Sequence, residues 1–284
     1  MIAQKIIHVS LILISILLGI LDANAQLRIE RKIIIDNGQY YFFTVDDETQ
    51  LATLYTGGLD EKLIKAKKYP MPIGRELNDV FNPLSFDIND GKLIGINWIL
   101  NSMNSRYEAI KKINIKDWLK PHPEWTIEDW AQVSFDQPIL APNEPWERMI
   151  EENNVLENCF FDIMQIEAKV MAICNQGKLR IWHSAGGKWV EKSTAIPVDF
   201  TSYFSLASVK SGTICLVDAQ GNVYKVNDAQ TAITKVKTSV NPKPQILIVD
   251  NDHFKTYTIA AETIEAATMD NLKGIIKLAT EITF

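Results

Sequence analysis

Residues 204–237 read FSLASVKSGTICLVDAQGNVYKVNDAQTAITKVK. Four short runs follow one another. Residues 204–209 end at Ser211-Gly212, and the strongly apolar run 213–217 ends at Asp218-Ala219-Gln220-Gly221. Residues 222–226 alternate and end at Asn227-Asp228, and residues 233–237 carry Thr234, Lys235 and Lys237. β-Branched and aromatic runs of this length, split by Gly, Asn and Asp turns, are the sequence form of an antiparallel meander. A lone meander cannot bury two faces, so it needs neighbours of its own kind.

The rest of the chain supplies them. Working toward the N-terminus, residues 160–192 repeat the order: a first strand, the apolar 169–174 ending at Asn175-Gln176-Gly177, the alternating 178–183, and a fourth run with Lys188 and Lys192. Residues 84–115 give three strands, with turns at Asn89-Asp90-Gly91 and at 101–104. Residues 31–68 give four, with turns at Asn37-Gly38, Asp46-Asp47-Glu48 and Gly57-Gly58. Toward the C-terminus, 245–249 turns at Asp250-Asn251-Asp252 into 254–259. Strands are then expected at 263–268 and 274–284.

Second strands are apolar (YYFFTV, LIGINWI, VMAIC, TICLV, ILIV), and fourth strands carry lysine. That gradient fits units buried toward a common middle and solvated at the rim. Comparable turns lie 44 residues apart at Gly177 and Gly221, and 53 apart at Gly38 and Gly91. Four-stranded repeats of this period resemble the β-propeller architecture. Ser184-Ala185-Gly186-Gly187-Lys188-Trp189 is similar to a shortened Asp-box hairpin of sialidase-type propellers, without its Asp. The resemblance implies an all-β propeller over residues 26–284. Six blades are expected at about 43 residues each, with five or seven left open. A two-sheet sandwich pair is the rival, and it predicts no such gradient.

One stretch breaks the pattern. Residues 117–154 hold Trp118, Trp125, Trp130 and Trp146, with Pro121, Pro123, Pro138, Pro142 and Pro145. Thr126 three residues before Asp129, and Asn143 two before Pro145, read as helix starts. A Trp/Pro-rich, partly helical insertion is therefore expected around 117–154. Its tryptophans suit an aromatic surface for a sugar or peptide, or inward packing over the mouth of the ring.

The first 25 residues are a separate object. Lys5 precedes an uncharged apolar run, 6–21, and Ala23-Asn24-Ala25 is a small-x-small site. This is the form of a secretory signal peptide, with cleavage expected after Ala25. The run is shorter than the ~20 residues of a membrane span. The protein is thus expected to be secreted or periplasmic.

A net charge of -6, with lysines scattered, offers no basic footprint for nucleic acid. Cys159, Cys174 and Cys215 are too few for a disulfide framework, and buried free thiols are expected at the last two. No metal site or cofactor is expected. His122, His183 and His253 have no zinc spacing, and neither Asp46-Asp47-Glu48 nor Asp250-Asn251-Asp252 continues as a calcium loop. There is no Gly-x-Ser-x-Gly elbow and no phosphate-cradling glycine loop.

The function expected is an exported, non-enzymatic propeller binding a protein or glycan. The alternative is a propeller-type carbohydrate-active or lactonase-like enzyme with acidic residues at the channel mouth. A structural part of a cell-surface assembly is a third reading. Candidate ligand residues are Trp118, Trp125, Trp130, Trp146, Asp250, Asp252 and His253. The last three are expected on one polar, acidic face with Asp46, Asp47, Glu48, Asp218 and Gln220.

Overall fold

The computed structural model describes residues 29, 31–46, 51–72, 79–89, 92–100, 106–114, 160–166, 169–174, 178–185, 188–191, 196–197, 204–239, 243–267 and 269–284. The stretch 204–237 forms the expected meander: β13 (Phe204–Ser208), β14 (Ile214–Asp218), β15 (Val223–Val226) and β16 (Ile233–Lys237), paired in that order. Burial falls from inner to outer strand. β14 is buried throughout, whereas β16 is largely exposed.

Three further sheets accompany it. β5 (Asp79–Asn89), β6 (Lys92–Leu100) and β7 (Arg106–Asn114) form one, with a register shift between Phe81 and Phe86, around Pro83. Another contains β8 (Phe160–Ile166), β9 (Lys169–Cys174), β10 (Lys178–Ala185), β11 (Lys188–Glu191) and the short β12 (Ile196–Pro197). The largest joins both ends of the chain. In it β1 (Lys32–Asp36), β2 (Gln39–Asp46), β3 (Leu51–Gly58) and β4 (Lys67–Pro72) continue through β1 onto β17 (Gln245–Asp250), β18 (Lys255–Ala260) and β19 (Thr280–Glu281).

The all-β expectation holds, and three elements correct it in detail. Residues 263–267 and most of 274–284 are not strand. The chain forms helix α1 (Ala261–Ala266), helix α2 (Leu272–Ile276) and only then β19. Ala261, Glu262 and Ala266 are strong helix formers. Leu272 and Ile275, three apart, share the buried side of α2. The fourth strand does not stop at residue 68 but continues over Pro70 and Pro72. β4 runs through them as the sheet's outer edge, where a missing N–H costs no ladder bond. Finally, the C-terminal segment reaches the N-terminal sheet through β17, paired parallel to β1, and the terminal strand β19 lies at that sheet's far edge beside β18.

β1 explains how the sheets are assembled. Both of its faces are buried, as a continuous Ile33-Ile34-Ile35 run requires. Ile33 and Ile35 join Tyr40, Phe42, Ile248, Ile264, Leu272 and Ile275 under the helices. Ile34 faces the other way, with Tyr41, Phe43, Phe86, Ala207, Cys215 and Val217. Each sheet packs on two others: β1 and β2 on β5, β5 and β6 on β8, β8 on β13, and β13 on β17 and β18. Cys215 is a free, buried thiol pushed up to about 12 by burial, which makes it inert packing.

The inner strands meet at one buried ion pair. Lys32 of β1 donates to both carboxylate oxygens of Asp162 on β8, at 2.9 and 3.0 Å. The Leu206 amide of β13 donates to the same carboxylate at 2.7 Å. The Lys32 ammonium also lies 5.4 Å from the centroid of the Phe86 ring on β5. Lys32 is 3% exposed and Asp162 1%. One pair therefore touches the first strand of each of the four sheets among the described residues.

Candidate functional site

The turn between β17 and β18 holds three of the candidate residues, Asp250, Asp252 and His253. Asp250 ends β17 beside Ile35 of β1. Its carboxylate accepts the His253 amide at 3.1 Å and lies 2.9 Å from His253 Nδ1. A carboxylate only accepts, so Nδ1 carries the hydrogen, and in the neutral ring Nε2 keeps the lone pair. The Asp250 side chain is 7% exposed and that of His253 66%. A buried acid thus orients an exposed imidazole.

Asp252 does different work. Its two oxygens accept the backbone amides of Asn37 and Gly38, at 2.7 and 2.8 Å. Asn37 (φ 53) and Gly38 (φ 71) form the Asn-Gly hairpin turn between β1 and β2, whose twist requires positive φ at both positions. Asn251 adds two ties: its amide donates to Ile35 O at 3.0 Å, and its Nδ2 to Ile88 O at 2.6 Å. The turn is therefore anchored to β1, to the β1–β2 turn and to β5.

The next residue is Phe254. It has φ 52, a left-handed conformation costly for a side chain of this size. It is also 66% exposed. The tip of a firmly tied turn thus presents an aromatic ring beside an oriented imidazole. Sequence reading placed Phe254 inside a strand and missed it. The Asp-rich turn was legible, but the sign of φ was not.

The expected single acidic face divides in two. β2 runs antiparallel to β1, so Asp46 lies at the end of β2 remote from Asn37-Gly38 and the β17–β18 turn. Eight residues of strand separate those ends by about 23 Å. Asp218 belongs with neither the turn nor a free face. It is 3% exposed and accepts from Gln220 N, Asn222 N, Asn222 Nδ2 and Tyr224 OH, at 2.7–3.1 Å. Its turn touches the start of β17, where Gln245 N donates to Ala219 O at 3.1 Å, at the end opposite Asp250.

Trp118, Trp125, Trp130 and Trp146 lie outside the described residues, as do Asp47 and Glu48. Among the described residues, no group of three His, Cys, Asp or Glu side chains is placed to hold a metal ion. None of the described helices is long and apolar enough to cross a membrane. Lys32 and Asp162 were not singled out in the sequence. Asp162 is a lone charge inside the apolar run FFDIM, but Lys32 stands beside Arg31 at the edge of its run, RKIIID, where a charge draws no notice.

No protein-family model matches the chain, and no curated protein does. Solved structures resemble it in shape. A catalytically inactive virginiamycin B lyase from Staphylococcus aureus with quinupristin aligns at 12% identity and TM-score 0.38, over 92% of this chain and 71% of the other. An α-L-arabinofuranosidase from Podospora anserina with cellotriose aligns at 11% identity and TM-score 0.47, over 82% and 84%. The WD40 β-propeller domain of Doa1 aligns at 10% identity and TM-score 0.42, over 81% and 75%. At these values the likeness bears on neither activity nor blade number, and the fold is read from the sheets themselves.

Proposed function

We propose that the chain is an exported, non-enzymatic propeller-type protein that binds a protein or glycan partner, with the His253–Phe254 tip as a contact. The tip carries the reading. A left-handed phenylalanine costs roughly 1–2 kcal/mol of backbone energy. Leaving its ring in water forgoes the 1.5–3 kcal/mol or so that burial would return. A turn that holds such a residue with six tying hydrogen bonds is pre-organised for contact, and pre-organisation lowers the cost of binding. Asp250 and Asp252 are supports in this reading, and His253 and Phe254 are the contacts.

The carboxylates favour binding over hydrolysis. Asp162 at the centre is committed to Lys32 and the Leu206 amide, Asp252 to two turn amides, Asp218 to turn amides, Asn222 Nδ2 and the Tyr224 hydroxyl, and Asp250 to the His253 amide and ring. An acid or base catalyst needs a carboxyl free to exchange its proton with substrate. Export is proposed from the leader at residues 1–25, and six blades from the length of the remaining chain.

The test uses the chain from Gln26 to Phe284, screened on immobilised oligosaccharides and peptides beside its Phe254→Gly and His253→Ala variants. The reading expects a ligand held by the wild type, lost at least tenfold by Phe254→Gly, and recovered chemically unchanged. Turnover of any bound sugar or lactone would transfer support to the enzymatic alternative.

A further inference from the structure

We propose that β1 is a transmission element that couples the buried ion pair at the centre to the exposed tip of the β17–β18 turn. The two lie at opposite ends of one five-residue strand. At its start, Lys32 is held on Asp162, against Leu206 and Phe86. At its finish, Ile35 O accepts the Asn251 amide, and the following Asn37 and Gly38 amides bind Asp252.

β1 is joined to β17 by the parallel ladder, and Leu247 N donates to the carbonyl of Arg31, the residue just before β1, at 2.9 Å. That ladder alone joins the four N-terminal strands to the C-terminal ones within the sheet order. Parallel pairing is slightly the weaker kind per residue. It is also where the two halves of the sheet part most readily if β1 loses its anchor.

The ion pair supplies that anchor in an all-or-none way. Asp162 stripped of Lys32 is a buried charge that has lost its bidentate partner, and Lys32 withdrawn from Asp162 is another. Removing one partner of such a pair is far more costly than replacing both. The assembly therefore tolerates β1 fully seated or well displaced, with little between. A seated β1 holds Ile35, Asn37 and Gly38 where Asn251 and Asp252 need them. A displaced β1 releases the tip. This gives two arrangements of one rigid element, biased at one end and read at the other.

The experiment needs no ligand. Lys32→Met, Asp162→Asn and the double variant are compared with wild type in the chain from Gln26 to Phe284. The readouts are amide exchange at Leu247 and Asn251, which donate to the carbonyls of Arg31, just before β1, and of Ile35 within it, and the ¹⁵N and ¹H signals of the His253 ring. Each single variant is expected to speed exchange at both amides by 100-fold or more, and to move the His253 ring signals toward those of a solvated histidine. The double variant is expected to return exchange to within tenfold of wild type and to restore the ring signals. Exchange at Asn227, whose amide donates to Ala232 O at the outer end of the neighbouring sheet, is expected to change less than tenfold in every variant.

If a single variant does not fold, recovery of folded protein in the double variant supports the coupling, and failure of the double overturns it. The coupling is also overturned if the single effects simply add, if Asn227 exchanges in step with Leu247, or if the His253 signals stay fixed while the β1 ladder opens. A failure to find a ligand for the tip leaves these readouts untouched, so this inference and the proposed function can fail separately.

Discussion

Tyr40 is a useful residue at which to see how sequence and environment trade. Its ring is fully buried and stacked on Phe42 at 5.9 Å, and Phe42 on Tyr55 at 4.9 Å. Among the described residues its hydroxyl has no hydrogen-bond partner. Burial, with the nearby Glu61 carboxylate, pushes the phenol up to about 12. The folded state thus keeps the proton where the unfolded chain, near 10, gives it up. Stability that is intact below pH 10 should fall by roughly 2 kcal/mol as pH rises toward 12. Denaturant titrations across that window check it, and Tyr40→Phe should remove this part of the loss. Because the orphaned hydroxyl gives no hydrogen bond, Tyr40→Phe should be neutral or stabilising by about 1 kcal/mol at pH 7.

Gly57 lies opposite Tyr40 in the ladder. A Cβ placed there would sit 2.7 Å from the Tyr40 hydroxyl and 2.8 Å from Glu61 Oε2. Gly57→Ala should therefore lower stability by about 1–3 kcal/mol, read from the urea midpoint. Phe254 is the opposite case, since its φ of 52 suits glycine. Phe254→Gly should leave stability unchanged or raise it by up to about 1 kcal/mol. A loss of more than 1 kcal/mol would mean that the ring packs in the fold and is not held out for a partner.

At the scale of elements, turns do the joining. Asp252 ties one hairpin turn to another across the sheet, and its two bonds go to amides 214 and 215 residues away in sequence. Asp252→Ala should cost about 1–3 kcal/mol and strip exchange protection from the Asn37 and Gly38 amides, while β14 keeps its own. Much of this was legible in the sequence. The turn residues and the apolar second strands located most strands, because their signals are local. What was not legible depended on distant neighbours. Ala261–Ala266 and Leu272–Ile276 are helices because a sheet face needed covering beneath Ile33, Phe42 and Ile248. β4 runs through two prolines because it is an edge. Asp46 and Asp250 both sit by Asp-rich turns, and only the parallel pairing of β1 with β17 shows that those turns face opposite ways.

For the molecule as a whole, the sheets gather around a charge where an apolar plug would have sufficed. Lys32 and Asp162 occur 130 residues apart, and nothing local in the sequence pairs them. Sequence composition spoke of an exported, all-β, mildly acidic chain. It could not say that Asp250 is held by the His253 amide and ring and Asp252 by the Asn37 and Gly38 amides, which moves the candidate contact from Asp250 and Asp252 to His253 and Phe254. The most direct measurement of that claim is the binding screen of the chain from Gln26 to Phe284 against its Phe254→Gly variant, with bound material analysed for chemical change. The account predicts a partner retained intact by the wild type and bound at least tenfold more weakly by the variant. Equal binding by both, or conversion of the bound material, would contradict it.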